Sequence, residues 1–186
     1  MSIPNGMRSA FGALLVIAAL FVAPNAASAA PGLAADTHCN YSDPIAIKSA
    51  RNGKYVTTER DYSGNNAGML RARADAVGPW ETYYLCYQDD WGPDEFAFLA
   101  AANNKFVSAE FDYSGTGKGM LRARADEPGV WERFNWIYGL PSSQLQSTWT
   151  GQYVSTELDY TGTKYGMLRA RSGSADIWEQ FLILWQ

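Results

Sequence analysis

The sequence predicts an all-β protein built from three equivalent four-stranded units, and three observations lead to this prediction. The segment Gly-Met-Leu-Arg-Ala-Arg occurs three times, and its methionines, Met69, Met120 and Met167, lie 51 and 47 residues apart. In each copy a Tyr or Phe precedes a Trp-Glu pair by 25 residues, without insertion or deletion. Helical periodicity is absent after the N-terminal segment, whereas apolar and charged residues alternate in each copy. A period of this length indicates one structural unit used repeatedly.

Each copy accounts for four short strands. In the first copy a turn signal at residues 51–54 separates two strands, of which the second begins at Tyr55. A loop rich in Gly, Ser and Asn follows, then the alternating strand from Met69, and finally a strand that begins at Trp80. Three units are fewer than the blades of a usual β-propeller. Twelve strands in three equal units therefore predict a β-trefoil, in which three hairpins cap a six-stranded barrel.

Three motifs resemble the fascin-like β-trefoil family. They are Asn-Gly-Lys-Tyr-Val at residues 52–56, the Leu-x-Ala core of the third strand, and Trp-Glu-x-Phe, as at residues 178–181. The resemblance covers all three copies, about residues 45–185. It implies the trefoil fold and either actin bundling, as in cytoskeletal members, or a glycan-associated module, as in exported members. Ricin-type lectins share this fold more distantly, but their Gln-x-Trp motif is absent, so their sugar sites do not carry over.

The first 29 residues are typical of a signal peptide. Arg8 is followed by an apolar run from Phe11 to Ala23, and Ala27-Ser28-Ala29 offers small residues for cleavage. The run is shorter than the roughly 20 apolar residues that span a bilayer. We therefore expect a secreted protein, which makes actin an unsuitable partner.

The remaining chain is predicted to be one domain with a short lead-in. We expect an extended segment at residues 30–44 and a trefoil domain at residues 45–186, with repeats at about 45–88, 96–138 and 143–186. We expect this domain to be a monomer.

Charge and cysteine content narrow the function classes. The formal net charge of −4 argues against nucleic acid and membranes as partners, because both attract a dense basic footprint. Cys39 and Cys86 flank the first repeat, and in an exported protein they predict one disulfide. The single histidine, His38, lies outside the repeats, so we expect no metal site, no cofactor and no catalytic triad. We therefore expect a binding protein and not an enzyme.

The repeated tryptophans allow two interpretations. Trp80, Trp131 and Trp178 could stack on sugar rings, or they could fill the barrel core. The second interpretation is favoured, because each precedes an alternating strand at the same place in its repeat. The neighbouring glutamates (Glu81, Glu132 and Glu179) are expected to accept hydrogen bonds from buried backbone donors or to pair with an arginine.

The repeated arginines also allow two interpretations. Arg71 and Arg73 are predicted to point outward from one strand, with Leu70 and Ala72 inward. They could bind carboxylates or sulfates of a ligand. The equal recurrence of acids and arginines favours exposed pairs with Glu59 and Asp61, each contributing about 0–1 kcal/mol.

The sequence Asp-Tyr-Ser/Thr-Gly, which opens the long loop of each repeat, is the leading binding candidate. Its aspartates could cap their own turns, but a carboxylate, an aromatic ring and a polar loop also suit a shallow saccharide site. The loop tips differ between copies while the scaffold is constant, which is typical of tips that make contacts. The candidate ligand residues are Asp61, Tyr62, Asn65, Asn66, Asp112, Tyr113, Lys118, Asp159, Tyr160, Lys164 and Tyr165.

These features predict a secreted, lectin-like trefoil with up to three weak glycan or polysaccharide sites. The alternative is a protein-binding trefoil, such as an enzyme inhibitor that presents one distinctive loop. The segment Gln88–Glu95, with Trp91, is the candidate for such a loop because no other repeat matches it.

Overall fold

The computed structural model describes residues 37–186, which belong to one compact unit. The predicted signal peptide and residues 30–36 of the predicted lead-in lie outside the described residues. The described part is all-β, with short 3₁₀ turns at residues 64–66, 115–117, 162–164 and 177–179. Within residues 37–186 no helix is long and apolar enough to cross a membrane. The strands are β1 (Thr37–Cys39), β2 (Ile45–Ser49), β3 (Tyr55–Thr58), β4 (Leu70–Ala74), β5 (Thr82–Gln88), β6 (Glu95–Ala100), β7 (Lys105–Glu110), β8 (Met120–Ala125), β9 (Phe134–Ile137), β10 (Ser143–Ser147), β11 (Tyr153–Glu157), β12 (Met167–Ser172) and β13 (Gln180–Trp185).

The first and fourth strands of the three repeats close into a barrel. Antiparallel pairing runs from β2 to β5, β6, β9, β10 and β13, and β13 pairs with β2 again. Closure of the ring leaves these six strands without the open edges of a flat sheet. β1 lies outside the ring and pairs with β5.

The second and third strands of each repeat form the three hairpins of the cap, β3–β4, β7–β8 and β11–β12. Adjacent hairpins touch through equivalent residues: Met69 pairs with Arg122, Met120 with Arg169, and Met167 with Arg71. A six-stranded barrel under three interlocked hairpins is a β-trefoil, as the sequence predicted.

A glycine permits the close approach between hairpins. Gly68 has a φ of 73°, and a Cβ atom at this position would overlap the carbonyl oxygen of Ala123 in the next repeat. The amide of Ala123 donates to the carbonyl oxygen of Gly68 at 2.8 Å. Any other residue would strain the backbone and separate the hairpins. This contact explains the glycine that opens each Gly-Met-Leu-Arg-Ala-Arg segment.

The core differs from the prediction at the tryptophans. Tyr83, Phe134 and Phe181, in the fourth strands, are the fully buried aromatic side chains of the barrel. Trp80, Trp131 and Trp178 are only half-buried and are not among the core residues. The reason is that the tryptophans precede the fourth strand, in a turn, so the inward alternation begins with the aromatic residue three positions later.

The predicted disulfide between Cys39 and Cys86 is present. It joins β1 to β5 at the point where these two residues are cross-strand neighbours. The disulfide thus fixes the lead-in against the first repeat of the barrel.

Candidate functional site

The first arginine of each repeat holds a loop of another repeat. The guanidinium of Arg71 donates from Nε to the carbonyl oxygen of Tyr165 (2.8 Å) and from Nη2 to that of Gly162 (3.2 Å). Arg122 makes the same two contacts to the carbonyl oxygens of Ala67 and Gly64. Arg169 does so to those of Lys118 and Gly115. These arginines are buried, which corrects the prediction that both arginines of the strand point outward.

The same arginines fix the predicted tyrosines. Nη1 of Arg71 donates to the hydroxyl of Tyr62, and the two other repeats repeat this bond with Tyr113 and Tyr160. The rings of all three tyrosines pack on the buried cluster of Met69, Met120 and Met167. Each tyrosine is therefore a half-buried wall of fixed orientation and not a freely moving ring.

The second arginine of each repeat is paired with a buried glutamate. Nε and Nη2 of Arg73 donate to the two carboxylate oxygens of Glu59, whose side chain is only 2% exposed. These hydrogen bonds raise the pKa of Arg73. Arg171 pairs in the same way with Glu157, and Arg124 donates from Nε to one carboxylate oxygen of Glu110. The predicted pairing with Glu59 is confirmed. The predicted exposure is correct for Arg73, whose side chain is 42% exposed, and wrong for the carboxylate, which is buried. The predicted pairing with Asp61 is wrong, because its carboxylate has no ion-pair partner among the described residues.

The glutamates that follow the tryptophans also accept hydrogen bonds within the protein. Glu81 accepts from the hydroxyl of Thr57 at 2.7 Å and from the amide of Gly78 at 2.9 Å. Glu132 and Glu179 accept the equivalent bonds in their repeats. The structure thus agrees with the expectation of buried donors. Unlike these glutamates, the aspartates of the long loops make no side-chain hydrogen bond or ion pair in the described part of the chain.

Asp61, Asp112 and Asp159 are exposed, and their carboxylates have no hydrogen-bond or ion-pair partner among the described residues. They do not cap the short 3₁₀ turns that follow, whose N-cap residues also make no side-chain cap bond. The turn-capping interpretation of these aspartates is therefore wrong. Their oxygens remain available to accept bonds from a ligand.

In the second and third repeats, the aspartate lies in a cavity with the repeat tryptophan. Asp112, Tyr113, Arg124 and Trp131 line a cavity of about 210 Å³ on the rim of the cap. In the third repeat, Asp159, Arg171 and Trp178 line one of about 290 Å³. Arg51 also lies over the ring of Trp178, with 5.6 Å between its guanidinium carbon and the ring centroid. We call these two cavities the rim pockets. Asp61, Arg73 and Trp80 occupy the equivalent sequence positions in the first repeat.

A third cavity, which we call the loop cleft, is lined by all three repeats. Its volume is about 360 Å³, and Lys164 of the third repeat reaches into it. The first repeat contributes Asn65 and Asn66, and the second contributes Asp112 and Tyr113. Five predicted ligand residues from three repeats therefore meet in one place.

The remaining predicted ligand residues, which include the exposed Asp61, line neither the rim pockets nor the loop cleft. Tyr62 and Tyr160 are held by Arg71 and Arg169 as described above. Lys118 and Tyr165 are exposed at the loop tips, where their carbonyl oxygens accept from arginines. Among residues 37–186 no group of three His, Cys, Asp or Glu side chains is placed to bind a metal ion.

In the exposed loop proposed for a protein partner, the tryptophan side chain packs against the protein. The ring of Trp91 is half-buried near the disulfide, and the guanidinium carbon of Arg133 lies 5.5 Å from its centroid. The segment therefore does not present Trp91 as a free recognition residue.

The sequence analysis placed the rim tryptophans in the core. It also did not identify a cavity at the end of the barrel away from the cap, which we call the far end. At that end Trp136, Leu140 and Trp185 line a cavity of about 440 Å³. The sequence did contain a signal for the position of the tryptophans. Each tryptophan follows a polar loop and is separated by two residues from the aromatic residue that enters the barrel. For the cavity at the far end, the sequence offered only isolated apolar residues between β9 and β10.

Comparison with known proteins supports the fold. No protein-family model matches the chain, and no curated protein matches it significantly. Among solved structures the chain is similar to a designed 3-fold symmetric protein, ThreeFoil. The TM-score is 0.62 at 15% identity, over 76% of this chain and 97% of that chain.

Two further similar structures are those of a mosquitocidal holotoxin and of Cry35Ab1. The holotoxin matches with a TM-score of 0.61 at 12% identity, over 76% of this chain and 17% of that chain. Cry35Ab1 matches with a TM-score of 0.56 at 15% identity, over 78% of this chain and 36% of that chain. The chain therefore spans a minor part of both. At these identities the likeness supports a trefoil-like fold and does not single out the fascin-like family.

Proposed function

We propose that this protein is an exported, glycan-binding trefoil with up to three equivalent rim sites. The observation that carries the proposal is the unpaired aspartate beside a half-buried tryptophan, which occurs in both rim pockets. Asp112 and Trp131 form one such pair, and Asp159 and Trp178 form the other. The fascin-like resemblance, whose exported members include glycan-associated modules, agrees with this function.

The chemistry of the rim pockets suits a sugar ring. An exposed carboxylate accepts hydrogen bonds from vicinal hydroxyls, and an indole face packs on the apolar C–H face of a pyranose. The arginine is held by its buried glutamate, so it forms a fixed cationic wall and does not close over the ligand. Arg122 and Arg169 in turn hold neighbouring loops in place. The pockets are therefore organised before binding, which reduces the entropy lost on association.

Each rim pocket is small, so we expect weak binding per site. Cavities of about 210 and 290 Å³ lie at or below the lower limit of roughly 300 Å³ for drug-sized ligand sites. Repetition offsets this weakness, because sites on one rigid body that engage a polymeric glycan act at a high effective concentration.

A glycan array tests this function with matched tryptophan variants. We expect binding by the wild-type protein and reduced binding by the Trp131→Ala and Trp178→Ala variants. Trp185→Ala is the control, because Trp185 is an accessible tryptophan that lies at the end of the barrel away from the cap. Equal binding by all three variants would rule out the rim pockets as the sites.

Protein binding is a second candidate function, favoured by the far end of the barrel. Tyr138, Leu140 and Trp185 are large, exposed apolar residues around the cavity at that end. The indole Nε1 of Trp136 is buried there without a hydrogen-bond partner among the described residues. Exposed aromatic and aliphatic groups around a cleft with an unused donor are typical of protein contacts.

The same array separates the two functions. A folded protein that binds no glycan would leave the far end as the better candidate. A photo-crosslinking residue at position 140 would then test whether this surface contacts a protein partner. The equivalent probe at Lys118, on the cap, is the control.

A further inference from the structure

We propose that the site of the second repeat is longer than its equivalents, and that it binds an oligosaccharide whose acidic sugar contacts Lys164. This inference rests on the proposed glycan-binding function and gives it a ligand class. The loop cleft and the rim pocket of the second repeat together form the extended site.

The two cavities are joined by shared walls. Asp112 and Tyr113 line the rim pocket on one side and the loop cleft on the other. A chain that stacks on Trp131 can therefore continue past Asp112 toward Asn65 and Asn66. The rim pocket alone, at about 210 Å³, is smaller than usual ligand sites, whereas the loop cleft of about 360 Å³ falls within their range. The shape thus fits more than one sugar ring.

A glycine accounts for the opening beside Tyr113. Gly117 occupies the loop position that Asn66 holds in the first repeat and Lys164 holds in the third. A Cβ atom at Gly117 would lie 3.3 Å from Cδ2 of Tyr113 and 3.4 Å from its Cβ, which is tighter than ordinary contact. A longer side chain there would fill the space next to the tyrosine. The extension is therefore particular to the second repeat.

The charges and donors of the loop cleft indicate an acidic ligand group. Lys164 contacts the hydroxyl of Thr116 and has no carboxylate within ion-pair distance among the described residues. The side-chain amides of Asn65 and Asn66 also make no hydrogen bond within the described part of the chain. An ammonium beside two free amides suits the carboxylate of a uronic acid. Asp112, at the junction, would accept hydroxyls of the neutral part of the ligand.

The test compares a linear oligouronate of four residues with its carboxyl-reduced, neutral counterpart by calorimetric titration. We expect the wild-type protein to bind the oligouronate roughly fivefold more tightly, as expected for one accessible ion pair, and the preference to fall with salt. Lys164→Met should abolish the preference but retain binding of the neutral chain. Lys118→Met is the control, because Lys118 is an exposed loop lysine outside the cleft. Gly117→Asn should weaken binding of both tetrasaccharides and leave a monosaccharide unaffected.

The possible outcomes separate this inference from the proposed function. Equal binding of the two chains by the wild-type protein would overturn the acidic-ligand inference while the rim sites stand. A preference that survives Lys164→Met would place the acidic group elsewhere and also overturn the inference. Absence of binding to any glycan would reject the proposed function, and the inference with it. An unchanged affinity of Gly117→Asn for both tetrasaccharides would show that the ligand does not enter the cleft.

Discussion

The guanidinium of Arg71, in the first repeat, donates from Nε to the carbonyl oxygen of Tyr165, in the third repeat, at 2.8 Å. Its equivalents continue this pattern around the cap, so that each repeat anchors the loop of another. The guanidinium side chains are buried, so each arginine needs these partners inside the protein. The binding loops are thus stabilised by the neighbouring repeats, and a single repeat would not hold its loops in this form.

Replacement of Arg71 by methionine tests this interlock. The change removes the arginine donor from the carbonyl oxygens of Tyr165 and Gly162, of which the second still accepts from the amide of Tyr165. We expect a loss of about 2–4 kcal/mol in the free energy of unfolding. Lys118→Met, at an exposed loop position, should cost less than about 0.5 kcal/mol. Denaturant titration measures both. A loss at Arg71 no larger than that at Lys118 would contradict the structural role of the arginine.

The aromatic residues of the fourth strand, and not the tryptophans, should dominate the core. Phe134→Ala removes a fully buried ring and should cost about 3–5 kcal/mol. Trp131→Ala removes a half-buried ring at the rim and should cost about 1–2 kcal/mol. Denaturant titrations of the two variants compare these costs. If Trp131→Ala were the more destabilising, the tryptophan would belong to the core after all.

This difference shows what the sequence could and could not predict. Repeat length and period-two alternation were sufficient for the trefoil and for the inward positions of Leu70 and Ala72. They were insufficient for the buried Arg71, because the loop carbonyls that it binds, those of Tyr165 and Gly162, belong to a repeat that is distant in the sequence. Contacts between repeats follow from the threefold arrangement and leave no local pattern.

The candidate site was predicted in part for the same reason. The loops carrying Asp112 and Tyr113 were identified from their composition and from the variation of their tips. The meeting of Asn66, Asp112 and Lys164 in one cleft depends on the order of repeats around the axis. The companion residue Trp131 was placed in the core, because the inward alternation was started at the tryptophan and not at Phe134, three residues later.

A buried tyrosine should make stability fall at alkaline pH. Burial raises the pKa of the Tyr83 hydroxyl, which also bonds to Thr58 at 3.0 Å. The unfolded chain ionises this group near pH 10, whereas the native state keeps it neutral. The stabilisation that the neutral Tyr83 hydroxyl gives to the native state is thus fully present below pH 10. Above pH 10 the free energy of unfolding falls by up to about 1.4 kcal/mol per pH unit.

The Tyr83→Phe variant isolates this effect. At pH 8 the variant should lose about 1 kcal/mol, the value of the hydroxyl bonds to Thr58 and Val56. Between pH 10 and 11.5 its unfolding free energy should decline less steeply than that of the wild type. Tyr138→Phe, an exposed tyrosine, is the control and should leave the slope unchanged. Parallel slopes for wild type and Tyr83→Phe would contradict this assignment.

The disulfide should stabilise the fold through the unfolded state. Cys39 and Cys86 are separated by 47 residues, and the chain-entropy model gives about 4 kcal/mol for closing a loop of that length. The double variant Cys39→Ser, Cys86→Ser should therefore unfold at lower denaturant concentration. The addition of a reductant should shift the wild-type midpoint toward that of the variant and leave the variant's own midpoint unchanged. Titration of two free thiols in the unfolded, unreduced wild type would refute the bond itself.

The loop aspartates should govern binding without contributing to the fold. Asp61, Asp112 and Asp159 have no structural partner among the described residues, so their replacement by asparagine should change stability by less than about 0.5 kcal/mol. Asp112→Asn and Asp159→Asn should each remove one rim site, and Asp61→Asn should reduce binding less, because Asp61 lines none of the described cavities. Avidity for a glycan-coated surface should then fall much more than affinity for a short free oligosaccharide, because linked sites multiply through effective concentration. Asp90→Asn, in an exposed loop outside the cap, is the control and should alter neither binding measurement.

The triple variant should stay folded and lose surface binding. A folded triple variant that binds the surface as the wild type does would move the sites away from these loops. An unfolded triple variant would mean that the carboxylates stabilise the cap, against the absence of partners in the structure.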